Sequence, residues 1–194
     1  MSQAEIPLDP KNFSLLWATP ERAEEMAVLH ARVFDPPWDA ASIMNSIEHP
    51  ASASFIAQIR EPAVLAGFII GRIAADEAEV LSIGVAPEWQ KRGIGRRMVE
   101  GLVRAARRAE VKRVFLEVAS DNLAAGALYT GLGFRPAGGR KDYYKRADGK
   151  APGSYFMEHT AASYVYDPQG RIRLYARYGG GAQALAGDLK LLLQ

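Results

Sequence analysis

The sequence predicts an α/β protein, an α+β arrangement of helices around one mixed sheet. Three observations predict it. Short β-rich runs alternate with amphipathic helical stretches along the first 160 residues. Apolar residues make up 48% of the 194-residue chain and charged residues 24%, the balance of a packed protein with a polar surface. The longest apolar run, Ala63 to Ile70, is far short of the roughly 20 residues a membrane helix needs.

The elements follow in order. Asn12–Ala18 reads as a short strand. Thr19-Pro20-Glu21 is a helix start, with Thr19 as cap and Pro20 at the first helical position. Ala23, Met26, Ala27 and His30 or Ala31 then give an apolar stripe at spacings of three and four. Phe34-Asp-Pro-Pro-Trp38 stops that helix, and Asp39 or its neighbours start a second one through Ile47. Ser54–Gln58 and Val64–Ile73 form a hairpin across Arg60-Glu61-Pro62, and Ala78–Val85 is the next central strand. Gly93–Ala109 is a long helix with Ile94, Met98, Leu102 and Ala105 or Ala106 on one face and arginines on the other. Val114–Ala119 is a buried-type strand. Asp121-Asn122 caps a helix through Tyr129 that Gly131-Leu132-Gly133 closes. Phe134–Gly139, Tyr143–Arg146 and Ser154–His159 are extended. Beyond them Ala162–Tyr175 reads as a hairpin around Asp167-Pro-Gln-Gly170, and Ala182–Leu193 as an amphipathic helix carrying Leu185, Leu189 and Leu192.

Composition excludes several chemistries. The chain has no cysteine, so disulfides, thiolate metal sites and thiol nucleophiles are out. His30 and His49 lack companions at ligand spacing, and no metal site is expected. No amino-terminal apolar segment resembles a signal peptide, so a soluble, cytoplasmic protein is expected, with no membrane partner. The formal net charge of +2 hides a split: residues 1–90 hold 5 Lys/Arg against 13 Asp/Glu, residues 91–194 hold 19 against 9. A chain so divided suits two ligands of opposite sign.

The strongest local feature is Gln90-Lys91-Arg92-Gly93-Ile94-Gly95-Arg96, between a strand and a long helix. Glycines there let a ligand approach the backbone, and the helix start offers N–H groups and the positive end of the dipole. The pattern suits a pyrophosphate, with Lys91, Arg92 and Arg96 adding charge. It is neither a nucleotide P-loop, lacking Gly-Lys-Ser/Thr, nor a dinucleotide fingerprint, lacking the third glycine.

With this loop, Asp76-Glu-Ala-Glu79, Leu116-Glu117-Val118, Asn122, Ala127-Leu128-Tyr129, Leu132-Gly133-Phe134 and Arg140-Lys-Asp-Tyr-Tyr144, the sequence resembles the GNAT acetyltransferases over about residues 12–158. Within them it resembles the ribosomal-protein-alanine N-acetyltransferases, the RimI type. The resemblance implies the GNAT acyl-CoA fold, acetyl-CoA as co-substrate, and a basic protein N-terminus, possibly a ribosomal protein, as acceptor. It implies that the backbone of Ile83, Gly84 and Val85 holds the acetyl and pantetheine portion. Lys91, Arg92, Gly93, Ile94, Gly95 and Arg96 hold the pyrophosphate, and Asn122 bonds the cofactor arm. Glu117 is implied as general base and Tyr129 as general acid, in direct transfer without a covalent enzyme intermediate. The chemistry agrees, since an attacking ammonium must first lose a proton and a departing thiolate gains from one. Glu117 also suits a solvent-facing strand end, Tyr129 simple packing, and Asn122 a helix cap.

For the acceptor groove the acidic half suggests Glu77 and Glu79, with Trp38, Tyr143 and Tyr144 as walls; Trp38 packing the corner between the first two helices is the alternative. Other acceptors, a small amine or a lysine side chain, fit the same chemistry. A ribosome- or RNA-binding module on the basic helix 96–113 is the reading from a different class, but that helix lacks the interleaved aromatics of nucleic-acid binders, and no direct nucleic-acid contact is expected. Residues 155–194 resemble the last β-β-α unit of Sco/SenC-type copper chaperones, where His159 would be a ligand. Without cysteines that copper site cannot exist. The chain is thus expected to hold an acetyltransferase domain at 1–158 and a structural hairpin–helix extension at 159–194, in an oligomeric state the sequence leaves open.

Overall fold

The computed structural model describes residues 9, 12–140, 154–160, 162–166 and 172–177. In chain order these give β1 (Phe13–Trp17), α1 (Ala23–Val33), α2 (Ala40–Glu48), β2 (Phe55–Ile59), β3 (Val64–Ala74), β4 (Glu77–Val85), α3 (Ile94–Arg108), β5 (Arg113–Ala119), α4 (Leu123–Thr130), β6 (Arg135–Arg140), β7 (Ser154–Thr160), β8 (Ala162–Tyr166) and β9 (Ile172–Arg177). Strands β1 to β7 form one sheet in the order β1-β2-β3-β4-β5-β7-β6, and β8 and β9 pair as a separate hairpin. Only β4 and β5 run parallel, joined by the α3 crossover; the other neighbours are antiparallel. The sheet is mixed, as expected. Tyr143–Arg146 and the expected helix Ala182–Leu193 lie outside the described residues.

One local expectation is corrected. Pro20–Arg22 is a 3-10 turn, Thr19 makes no capping side-chain bond to the helix backbone, and the α-helix proper begins at Ala23. The other caps are as the sequence reads: Asp39 accepts from the Ser42 N–H at 2.7 Å and Asn122 from the Ala125 N–H at 3.1 Å.

The sheet separates two cores. On one side α3 lays Ile94, Met98, Leu102 and Ala106 against Ala57, Ile69, Val80, Val114 and Leu116. On the other, α1 and α2 supply Met26, Leu29, Ile43 and Ile47, which pack on Ile56, Phe68 and Ile70. Among the described residues, this second core takes none from β5, β6 or β7.

One irregularity shapes the centre. Ile70 of β3 pairs with Ser82, but the next residue, Gly71, pairs with Val80, leaving Leu81 as an extra residue on β4. This bulge reverses which side chains of β4 face which layer. Below it Ala78 and Val80 face the α3 core, so Glu77 and Glu79 face the other way; above it Ile83 and Val85 pack toward α3. The β4–β5 ladder stops at Val80–Leu116, next to the bulge, although β4 continues to Val85 and β5 to Ala119.

Candidate active site

Beyond Val80–Leu116 the ends of β4 and β5 part, and of the residues the sequence singled out Ile83–Val85 and Glu117 lie on these two strand ends. Ile83, Gly84 and Val85 form one lip, beyond the last β4–β5 pair. The Val85 carbonyl accepts from the Gln90 side-chain amide at 3.0 Å, which ties the strand end to the loop before α3. In that loop Lys91 has φ +59° and Gly93 φ +80°, both left-handed, so the chain doubles back before the helix. A Cβ on Gly93 would meet nothing within 4 Å, so the open space beside it is held by backbone alone. A Cβ on Gly95 would come within 3.3 Å of Leu128, so this glycine lets α4 approach the first turn of α3.

Unlike α2 and α4, α3 has no side chain capping its N-terminus. The N–H groups of its first turn have no acceptor within the helix, and the dipole adds partial positive charge there. Ile94 is buried in the core, so only its backbone serves that mouth. Lys91 is exposed, and the Arg92 guanidinium lies 4.8 Å from the Trp89 ring centroid. Arg96 donates to the Gly131 carbonyl at 3.1 Å and lies 3.6 Å from Glu100, fastening α4 beside the start of α3. Asn122 uses its carbonyl oxygen as the α4 cap, which leaves its amide as the group able to donate elsewhere.

Glu117 and Tyr129 approach the gap from opposite layers. Val114, Leu116 and Val118 point into the α3 core, so the alternate residues Phe115 and Glu117 face the other side. Tyr129 is buried in the α3-side core with its ring 5.8 Å from Phe134.

On the Glu117 side the face holds a cavity of about 620 Å³, lined among others by Arg72, Glu77, Glu79, Phe115, Ala137 and His49. Glu77 and Glu79 therefore sit together, but at the opposite end of β4 from Ile83–Val85. Glu77 is engaged by Arg113 at 2.8 Å, and Arg113 also stacks over Phe115 at 5.2 Å. Trp38 lies elsewhere, half-buried at the α1–α2 corner. Its backbone N–H donates to His30 Nδ1 at 3.1 Å, and its ring stacks on the same imidazole at 5.5 Å. Tyr143 and Tyr144 are outside the described residues.

His30 is more deeply used than the sequence suggests. It is buried among Phe34, Trp38 and Phe68, with Nε2 3.3 Å from the Ser82 hydroxyl on β4. Burial pushes its pKa down to about 4, so it is neutral at pH 7 and links α1, the Pro36-Pro37 turn and the β4 segment above the bulge. Arg72 and Phe115 were also missed as site residues. A charged residue inside the apolar run Val64–Ala74 was the available signal for Arg72.

The sequence matches the model of the Acetyltransferase (GNAT) family over residues 14–134. The chain belongs to that family. Over 93 residues it is 38% identical to the ribosomal protein bS18-alanine N-acetyltransferase of Escherichia coli strain K12, a match covering 48% of this chain and 63% of that protein. The chain thus spans slightly under two thirds of that relative's length. Over 129 residues it is 39% identical to the N-alpha-acetyltransferase RimI of Mycobacterium tuberculosis strain H37Rv, covering 63% of this chain and 78% of that one. Among solved structures, the ribosomal-protein-S18-alanine N-acetyltransferase of Escherichia coli resembles it with a TM-score of 0.70 at 26% identity, over 80% of this chain and 99% of the other.

Proposed function

We propose that this GNAT chain is an acetyl-CoA-dependent N-acetyltransferase that modifies the α-amino group of a basic protein N-terminus, of the ribosomal-protein-alanine type. The observation that carries the reading is the parting of β4 and β5 after Val80–Leu116, with Glu117 next on β5 and the start of α3, which no side chain caps, following the end of β4. The similarity to the two bacterial N-acetyltransferases supports it.

The residues present fit acetyl-CoA. The open backbone at Gly93 and the first-turn N–H groups of α3 suit a pyrophosphate, with Lys91, Arg92 and Arg96 adjacent. The exposed edge of β4 at Ile83–Val85 suits an extended amide chain such as pantetheine, and the Asn122 amide a further polar contact. When bound, acetyl-CoA supplies a thioester carbonyl as the electrophile. Glu117 would take one proton from the acceptor's α-ammonium, directly or through a water; the α-ammonium pKa near 7.7–8.0 makes that uphill transfer less costly than from a lysine. As the N–C bond forms and C–S breaks, the Tyr129 phenol would give the departing sulfur its proton, and the second proton lost by the nitrogen would restore the phenol. Glu79 and the open face receive the acceptor; Trp38 acts there only through the corner it packs. On this reading the catalytic unit ends within β7, near residue 158, and 159–194 is a structural extension.

Calorimetry with acetyl-CoA, followed by mass spectrometry of a peptide panel, tests the proposal. Micromolar binding and one acetyl added at a peptide amino terminus are expected. Binding with transfer only to polyamines or lysine side chains would move the chain to the small-amine or lysine class. Absence of acetyl-CoA binding would refute the reading altogether.

A further inference from the structure

The open-face cavity contains a mismatch that the chain does not resolve internally. Arg72 and Glu79 lie directly opposite each other in the β3–β4 pairing and face the same cavity. Yet neither makes an ion pair or side-chain hydrogen bond among the described residues, whereas the neighbouring Glu77 and Arg113 neutralise each other. The Arg72 Nε is buried with no hydrogen-bond partner. A guanidinium on a cavity wall with no acceptor from its own chain among the described residues leaves its outer N–H groups for one supplied from outside.

The chemistry of that acceptor is constrained. A carboxylate at Arg72 would also face Glu79. A neutral carbonyl escapes that repulsion, and a neighbouring N–H or cation would satisfy Glu79. A peptide group followed by a basic residue supplies both. Position agrees: Phe115, the cross-strand partner of Glu79, lies two residues before Glu117 on the same face, about 6–7 Å away. An extended acceptor with its amine at Glu117 advances about 3.3–3.6 Å per residue, which brings its second and third residues over Glu79 and Arg72.

Building on the acetyltransferase reading, we propose that Arg72 and Glu79 form a subsite for the acceptor's backbone beyond its first residue. Arg72 donates a terminal guanidinium N–H to a peptide carbonyl, and Glu79 accepts from the following N–H or from a basic side chain. The site thereby selects peptides over free amines, because spermidine or a lone amino-acid amide leaves Arg72 unpaired.

The test compares kcat/KM for alanine amide, alanyl-dipeptide and alanyl-tripeptide amides with a basic second or third residue, and spermidine. The wild type, Arg72→Met and Glu79→Gln are used, with acetyl-CoA affinity and thermal melts run on each. In the wild type, kcat/KM is expected to rise at least tenfold from alanine amide to the tripeptide. Arg72→Met should erase most of that rise while leaving the alanine amide rate and acetyl-CoA affinity unchanged. Glu79→Gln, an exposed change that does not threaten folding, should remove the preference for a basic residue over an isosteric neutral one. If acetyl transfer occurs but is indifferent to acceptor length, or if Arg72→Met and Glu79→Gln slow all acceptors equally, the subsite is wrong while the acetyltransferase reading stands. If the wild type binds acetyl-CoA but modifies no amine, the functional reading falls and the subsite with it.

Discussion

The two faces of the central sheet do different work with different materials. On the α3 face the working groups are backbone: the N–H groups at the start of α3, the open space at Gly93 and the close approach allowed by Gly95. They belong to one contiguous loop and rest on a closed core. On the opposite face the groups proposed to meet the acceptor are side chains: Arg72, Glu79 and Phe115, drawn from three strands around an open cavity, and Glu117, two residues beyond Phe115. A backbone site of the first kind recognises a constant feature such as a pyrophosphate whatever its neighbours are. A side-chain site of the second kind can change its acceptor by substitution without disturbing the core. On the proposed reading, co-substrate binding falls to one face and acceptor selectivity to the other.

Substitutions on either face should break the activity in separable ways. Glu117→Gln, on the open face, should lower turnover by about 10²–10⁴-fold, the usual worth of a general base, with acetyl-CoA affinity unchanged by calorimetry. Unaltered turnover would remove Glu117 as base. Tyr129→Phe, on the α3 face, should cost about 10²-fold in kcat, less than Glu117 because a thiolate can leave partly unassisted. The ring keeps its place beside Phe134, so the melting temperature should hardly move; an unchanged rate would reduce Tyr129 to packing.

Gly93→Ala should sharpen the division. Its left-handed backbone makes any side chain cost about 1–2 kcal/mol, but with no neighbour to clash the fold survives. Acetyl-CoA affinity should weaken about tenfold, while the KM for a peptide at saturating acetyl-CoA stays put. Equal losses in both would erase the separation of faces.

The pH dependence of stability reports on the corner that joins the acceptor side to β4. His30 is held at about pKa 4, against an ordinary value of 6.5, so the unfolded chain takes up that proton before the folded one does. Its contribution is complete above pH 6.5 and is lost progressively as the pH falls toward 4. Melts should hold level from pH 7.5 to about 6.5 and then decline toward pH 5, and a profile flat throughout would contradict a neutral buried His30. The smallest effect belongs to Arg113→Ala. Its ion pair with Glu77 is half-exposed on both sides, so chemical denaturation should show a loss below about 1 kcal/mol.

The same contrast explains what the sequence disclosed. Residues 90–96 were legible as a glycine turn leading into a helix because every group involved is adjacent in the chain, and α3, α4, Asp39 and Asn122 followed from local periodicity and capping. The open face was only partly legible. Glu77 and Glu79 stood out by charge, but pairing decides their roles. Arg113 occupies Glu77, and the partner across from Glu79 is Arg72, a residue the sequence places in a different strand. The β4 bulge at Leu81 is set by strand register rather than by any turn signal, so the point where β4 and β5 part was not visible in composition or spacing. Trp38 fits either a groove wall or a packed corner from its neighbours alone, and only the three-dimensional position of His30 places it at the corner.

Which nitrogen receives the acetyl group is the central matter, and one competition assay addresses it directly. Two basic peptides of identical sequence, each containing lysines, one with a free alanine amino terminus and one with that terminus formylated, are incubated together with the protein and acetyl-CoA. Mass spectrometry then locates the added group. The account predicts acetylation of the free terminus and none on either peptide's lysines at matched times. Acetylated lysines on the formylated peptide, at a rate comparable to the free terminus, would contradict it.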